Sequence, residues 1–81
     1  MNQQTIREEI RPLLDDSIGT YKFTRVDFLP HTRKYAVGIS LKGGIILHAT
    51  APSIREVAIA LIGQHDEMAT IEDSEKVYLK K

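Results

Sequence analysis

The chain contains no cysteine and no tryptophan. Without thiols there are no disulfide staples, no thiolate metal sites and no cysteine nucleophile. Aromatic residues make up only 6% of the chain, which leaves little material for a platform on which unpaired bases could stack. There is no excess of either charge, since eleven Lys and Arg balance eleven Asp and Glu. No apolar run approaches the length of a membrane span. The first ten residues are polar and include Glu8 and Glu9, unlike the apolar centre of a secretory signal. These absences point to a cytoplasmic protein with no membrane partner.

What is present suits one small core. Eighty-one residues at 9.2 kDa fit a single domain spanning residues 1–81. Folding of a chain this size buries about 63% of the unfolded surface, enough for one core but not for a deep catalytic cavity. The 42% apolar and 27% charged residues lie in the ordinary globular range.

The charges are unevenly placed. Residues 1–17 carry Arg7 and Arg11 against Glu8, Glu9, Asp15 and Asp16. Residues 18–55 carry Lys22, Arg25, Arg33, Lys34, Lys42 and Arg55 against Asp27 alone. Residues 56–81 are acidic again, with six carboxylates against Lys76, Lys80 and Lys81. A basic centre between acidic flanks marks either an anionic partner or solvated strands protected at their edges.

Periodicity orders the elements. Ile6, Ile10 and Leu13 or Leu14 recur at helical spacing, with Thr5 and Glu8 in a capping-box pattern. Pro12 cannot donate to Glu8, so a short or kinked first helix is expected, ending near Gly19. Residues 20–29 carry the strand formers Tyr21, Phe23, Val26 and Phe28, but their alternation changes phase after Phe23, as a bulge or burial on both faces would require. Residues 34–42 alternate cleanly, with Tyr35, Val37, Ile39 and Leu41 on one face and Ala36, Gly38 and Ser40 on the other. Gly43 and Gly44 predict a two-residue hairpin into a third strand over 45–50. Ser53 and Glu56 then cap a helix whose stripe is Ile54, Val57, Ala58, Leu61 and Ile62. It is expected to stop near Gly63 or within residues 64–66. Residues 68–81, with Thr70-Ile71 and Val77-Tyr78-Leu79, read as a β-like tail. The fold class is α+β in the order α-β-β-β-α, an antiparallel meander packed on one helix.

Catalytic chemistry finds little support. His31, His48 and His65 do not stand at the spacing of metal ligands on one helix, so no metal and no cofactor is expected. The stretch His65-Asp66-Glu67 follows a helix and reads as a wet loop rather than an acid/base pair in a dry pocket. Lys42-Gly43-Gly44 joins two strands, whereas phosphate-cradling glycine loops lead into a helix. No serine sits in a strand-to-helix elbow. The chain is read as not an enzyme.

The sheet carries the more informative signal. Ala36, Gly38 and Ser40, bordered by Ile46 and His48, make a face of small side chains that another surface can approach closely. Either the first helix covers it, or a partner or a second copy does; two-fold closure into a homodimer needs only one self-complementary surface. These five residues are the candidate partner-binding set. The alternative is nucleic-acid binding through Lys22, Arg25, Arg33, Lys34 and Lys42 along a basic edge of the sheet.

From Arg33 to Ile62 the pattern resembles the three-strand-plus-helix domains of plant APETALA-type transcription factors and of phage-type integrase arm-binding domains. The matching residues are Tyr35, the Gly43-Gly44 turn, Ser53-Ile54-Arg55-Glu56 and Val57-Ala58-Ile59-Ala60-Leu61. That resemblance implies an exposed sheet face that enters a DNA major groove; the family carries Arg and Trp there, where this chain has Ala36, Gly38 and Ser40. The full element order also looks like that of double-stranded-RNA-binding domains, although Ser53-Ile54-Arg55-Glu56 replaces their basic helix start. It is similar as well to small phage-encoded inhibitors, some anti-CRISPR proteins among them. The reading is therefore a small recognition protein, an inhibitor or adaptor, whose partner is a protein, with DNA or RNA binding as the alternative.

Overall fold

Asn2 opens the first helix, its side-chain oxygen accepting from the Thr5 amide at 2.8 Å and the Thr5 hydroxyl at 3.0 Å. The cap thus lies one turn before the Thr5–Glu8 box read from the sequence, and satisfies an amide that has no partner inside the helix. The computed structural model of the chain describes the backbone of residues 2–79 and the side chains of residues 2–68. Helix α1, Gln3–Ile18, runs without a break through Pro12. Neither shortening nor a break results, because Ile6 and Ile10 before the proline and Leu14 and Ile18 after it are all buried in one core. Packing on both sides holds the helix across the missing hydrogen bond, and the proline itself is exposed. Gly19 ends it at φ 81°, a left-handed value that suits glycine.

Strands β1 (Tyr21–Leu29), β2 (Lys34–Leu41) and β3 (Ile46–Ala51) form an antiparallel meander in sequence order. The register breaks between Phe23 and Arg25, so Thr24 is the extra residue of a bulge. That bulge is the cause of the phase change: Tyr21 and Phe23 before it, and Val26 and Phe28 after it, pair with Leu41, Ile39, Val37 and Tyr35 on one face. The β2–β3 connection is longer by one residue than the glycine pair alone suggests. The Leu41 amide donates to the Ile45 carbonyl at 2.7 Å and the Gly44 amide to the Leu41 carbonyl at 3.2 Å, leaving Lys42, Gly43 and Gly44 as the loop. Both glycines have left-handed φ, 95° and 85°.

Helix α2, Ile54–Leu79, is capped by Ser53, whose hydroxyl accepts from the Glu56 amide at 3.2 Å. The expectation of an end near Gly63 and of a β-like tail is corrected here. The backbone stays helical to Leu79, and Lys80 and Lys81 lie outside the described residues. The segment after Gly63 contains neither glycine nor proline, and Gln64, Glu67, Met68, Ala69, Glu72, Glu75, Lys76 and Leu79 are all good helix formers. Those propensities outweigh the short β-branched pieces.

Both helices pack on the same face of the sheet, α1 along β1 and α2 across β3, in contact with each other. Ile6, Ile10, Leu14 and Ile18 join Val26, Val37, Ile39, Leu47, Val57 and Leu61 in one cluster. A two-layer arrangement follows, with the core entirely between the helices and one side of the sheet.

Candidate functional site: the uncovered face of the sheet

The opposite side of the sheet has no helix over it. Pairing defines its rows: Lys22, Ser40 and Ile46; Arg25, Gly38 and His48; Asp27, Ala36 and Thr50; then Leu29 and Lys34 at the far end. Ala36, Gly38, Ser40, Ile46 and His48 therefore do share one face, as the alternation of β2 requires.

Their accessibility is not uniform. Ala36 is only 4% exposed and Gly38 is buried, although neither is a member of the core cluster. A methyl group built on Gly38 would lie 2.7 Å from Thr24 Oγ1 and 2.9 Å from His48 Nδ1, so these two side chains close over the glycine. The bulge thus does two things: it restores the apolar face to the core, and it swings Thr24 across the middle of the outer face. The exposed part of this face is its rim: Lys22, Thr24, Arg25, Thr50, His48 and Ile46, the last 51% exposed.

The electrostatics of this face are positive. Arg25 Nε donates to Asp27 Oδ2 at 2.7 Å, an exposed ion pair that neutralises both groups and holds the guanidinium along the strand. Lys22 and Lys34 have no carboxylate partner among the described residues. His48 presents its ring outward while its backbone carbonyl accepts from Gln64 Nε2 of α2 at 2.7 Å, which fastens edge strand β3 to the helix layer.

The five basic residues proposed for nucleic acid do not converge. Lys22 and Lys42 stand at one end of the sheet, since Tyr21 pairs with Leu41, and Arg33 and Lys34 stand at the other. The length of β2 separates these ends by about 25 Å at the usual rise per residue. Arg25 lies between them, already paired with Asp27. Arg33 occupies the β1–β2 turn with φ 54°, in the left-handed region. Among the described residues no three metal-capable side chains gather.

One constellation escaped the sequence reading. Arg7 and Arg11 of α1 lie with their guanidiniums 5.9 and 5.8 Å from the centre of the Phe23 ring, beside Lys22, at the open edge of β1. The spacing of the two arginines on one helix face was visible. That this face meets Phe23 depends on how α1 crosses β1, which no local pattern encodes.

Comparison of the chain with protein-family models, with curated proteins and with solved structures finds no match in any of the three.

Proposed function

We propose that the chain is a non-enzymatic recognition protein whose uncovered sheet face binds a partner protein with an acidic surface. The observation that carries this reading is the packing of both helices on one side, which leaves three paired rows of side chains facing solvent. Lys22, Arg25 and Lys34 outnumber Asp27 there, and Ile46 supplies an exposed apolar anchor. Charge of one sign steers encounter with a partner of the opposite sign and raises the on-rate. The footprint is small, about 14 Å by 26 Å from strand spacing and rise. That is well below the ~800 Å² per partner of a standard stable interface, so the reading entails a transient complex unless the turns and edges extend the contact.

A second copy on the same face would bring two positive surfaces together, which is unfavourable without a counter-charge. The nucleic-acid alternative, implied by the family resemblance, has cations at the two ends of the sheet but neither a stacking aromatic nor a basic helix start on this face.

The test is affinity capture with purified wild type, Lys22→Glu, Ser40→Glu and, as a control on the helix layer, Ile59→Glu. Recovery of the same acidic protein by wild type and Ile59→Glu, lost with both face variants, supports the reading. Capture unaffected by the face variants refutes it. Sedimentation of a dimer abolished by Ser40→Glu would replace the partner with a second copy. Duplex DNA binding that weakens with salt, with a log–log slope near −0.9 per phosphate contact, would move the protein to the alternative class.

A further inference from the structure

A second site lies on the other side of β1, independent of the outer face. An open groove of about 550 Å³ runs between α1 and the start of β1, walled by Arg7, Arg11 and Asp15 from the helix and by Tyr21, Lys22 and Phe23 from the strand. We propose that this groove binds a phosphate monoester, the two guanidiniums holding its phosphoryl group.

Charge is the first argument. Two guanidiniums face the groove against one carboxylate, and that carboxylate is engaged: Asp15 Oδ1 accepts a hydrogen bond from the Tyr21 hydroxyl at 2.7 Å. Burial, reinforced by this hydrogen bond and by the Asp15 charge, pushes the Tyr21 hydroxyl well above its ordinary range, so it stays protonated and adds no negative charge. The net charge facing the groove is positive, and two guanidinium forks offer more donors than a single oxyanion edge can accept. A phosphate monoester presents three terminal oxygens to them, whereas a carboxylate or a phosphodiester presents two.

Preorganisation is the second argument. Arg7 and Arg11 are one helical turn apart, a spacing at which like charges repel. They are nevertheless held over the same ring, both within 6 Å of its centre, without an ion pair to any described carboxylate. The ring itself is braced edge-on by Tyr21, with centroids 5.4 Å apart at 85°. Guanidiniums seated on an aromatic face lose little freedom when they bind an oxyanion. The Nε of Arg7 is shielded from solvent and has no acceptor, so the protein leaves that fork unengaged. The terminal amino groups of the two guanidiniums are the donors that a phosphoryl oxygen reaches from the groove. The groove volume lies within the range of small-molecule sites and leaves room for the group that carries the phosphate.

The experiment is an NMR titration of the full ¹⁵N-labelled chain at constant ionic strength with phenyl phosphate, inorganic phosphate, dimethyl phosphate and benzoate. The expected result is saturable movement of the Arg7 and Arg11 Nε–Hε signals and of the amides of residues 19–23. Phenyl phosphate should bind at least tenfold more tightly than dimethyl phosphate or benzoate. Equal affinity for inorganic phosphate would show that the phosphoryl group alone is recognised, and tighter binding of phenyl phosphate that its substituent also occupies the groove; both support the site. Arg11→Gln should weaken binding tenfold or more while Arg33→Gln leaves it unchanged. Because Arg11 also covers Phe23, Arg11→Lys, which keeps the charge but removes the planar fork, should weaken binding as well. Linear shifts without saturation, shifts spread over Arg33 and Lys34, or a diester bound as well as the monoester would overturn the proposal.

Discussion

Replacing Gly38 with alanine tests the geometry of the outer face more sharply than any core truncation. Gly38 has no left-handed φ, so alanine meets no backbone penalty there. Fewer unfolded conformations would by themselves favour the variant by about 0.4–1 kcal/mol. Against this, the new methyl group falls 2.7 Å from Thr24 Oγ1 and 2.9–3.0 Å from the His48 ring, where ordinary contact begins near 3.4 Å. His48 is exposed and can swing away at small cost. Thr24 is β-branched and sits in the bulge, so its χ1 choices are few and its backbone is tied to the register shift. Overpacking of this kind costs about 1–3 kcal/mol. The net expectation is a loss of about 1–2 kcal/mol, or a fall in Tm of about 4–15 °C for a domain of this size. Urea and thermal unfolding followed by circular dichroism measure it. Thr24→Ala in the Gly38→Ala background should restore more stability than His48→Ala does, because the threonine contact is the closer and stiffer of the two. A Gly38→Ala protein more stable than wild type would refute the reasoning. It would mean that Thr24 and His48 leave the centre of the face open, as an unobstructed trough.

Three further outcomes are expected. Leu61→Ala removes a side chain with no exposure at the junction of α2 with the core and should cost about 2–5 kcal/mol in chemical unfolding, a large share of the total stability of so small a domain. Pro12→Ala restores a hydrogen bond to Glu8 at an exposed position inside α1 and should raise the unfolding midpoint by the equivalent of about 2 kcal/mol; no gain would show that the helix accommodates the ring without loss. Tyr21 is held protonated in the folded chain above the ~10 of an unfolded tyrosine, so its contribution is complete below about pH 10 and declines as pH rises beyond that. Urea midpoints between pH 7 and pH 11 should therefore fall more steeply for wild type than for Tyr21→Phe, and parallel curves would contradict the Tyr21–Asp15 bond.

Local patterns were legible wherever one residue's environment follows from its near neighbours. The clean alternation of residues 34–41 fixed which face of β2 was core, and the stripe from Ile54 to Ile62 identified the helix that packs on it. The phase change after Phe23 was open to a bulge or to burial on both faces, and the pairing shows the bulge, at Thr24. The candidate surface was legible as a face but not as a shape. Alternation placed Ala36, Gly38 and Ser40 together, yet that Thr24 and His48 close over the middle residue depends on a register shift in one neighbouring strand and on the side-chain direction of the other.

Other features were settled by competition between distant parts of the chain. Pro12 argues locally for an interrupted helix, but burial of Ile6, Ile10, Leu14 and Ile18 in a common core outweighs one missing hydrogen bond. The stretch after Gly63 holds both helical and β-forming pieces, and its helical backbone continues a helix already nucleated and capped at Ser53. The side of the sheet that α1 covers follows from what each side offers. Tyr21, Phe23 and Val26 give its apolar stripe a matching surface, whereas Lys22, Arg25 and Asp27 on the reverse do not. Composition and periodicity by themselves determined a small α+β domain and its core face. Only the tertiary structure decided that both helices share that face, leaving the other bare, and that Arg7 and Arg11 meet Phe23 beside Lys22. The physical reason is that periodicity reports burial along one element, while the convergence of charged side chains depends on how the elements cross.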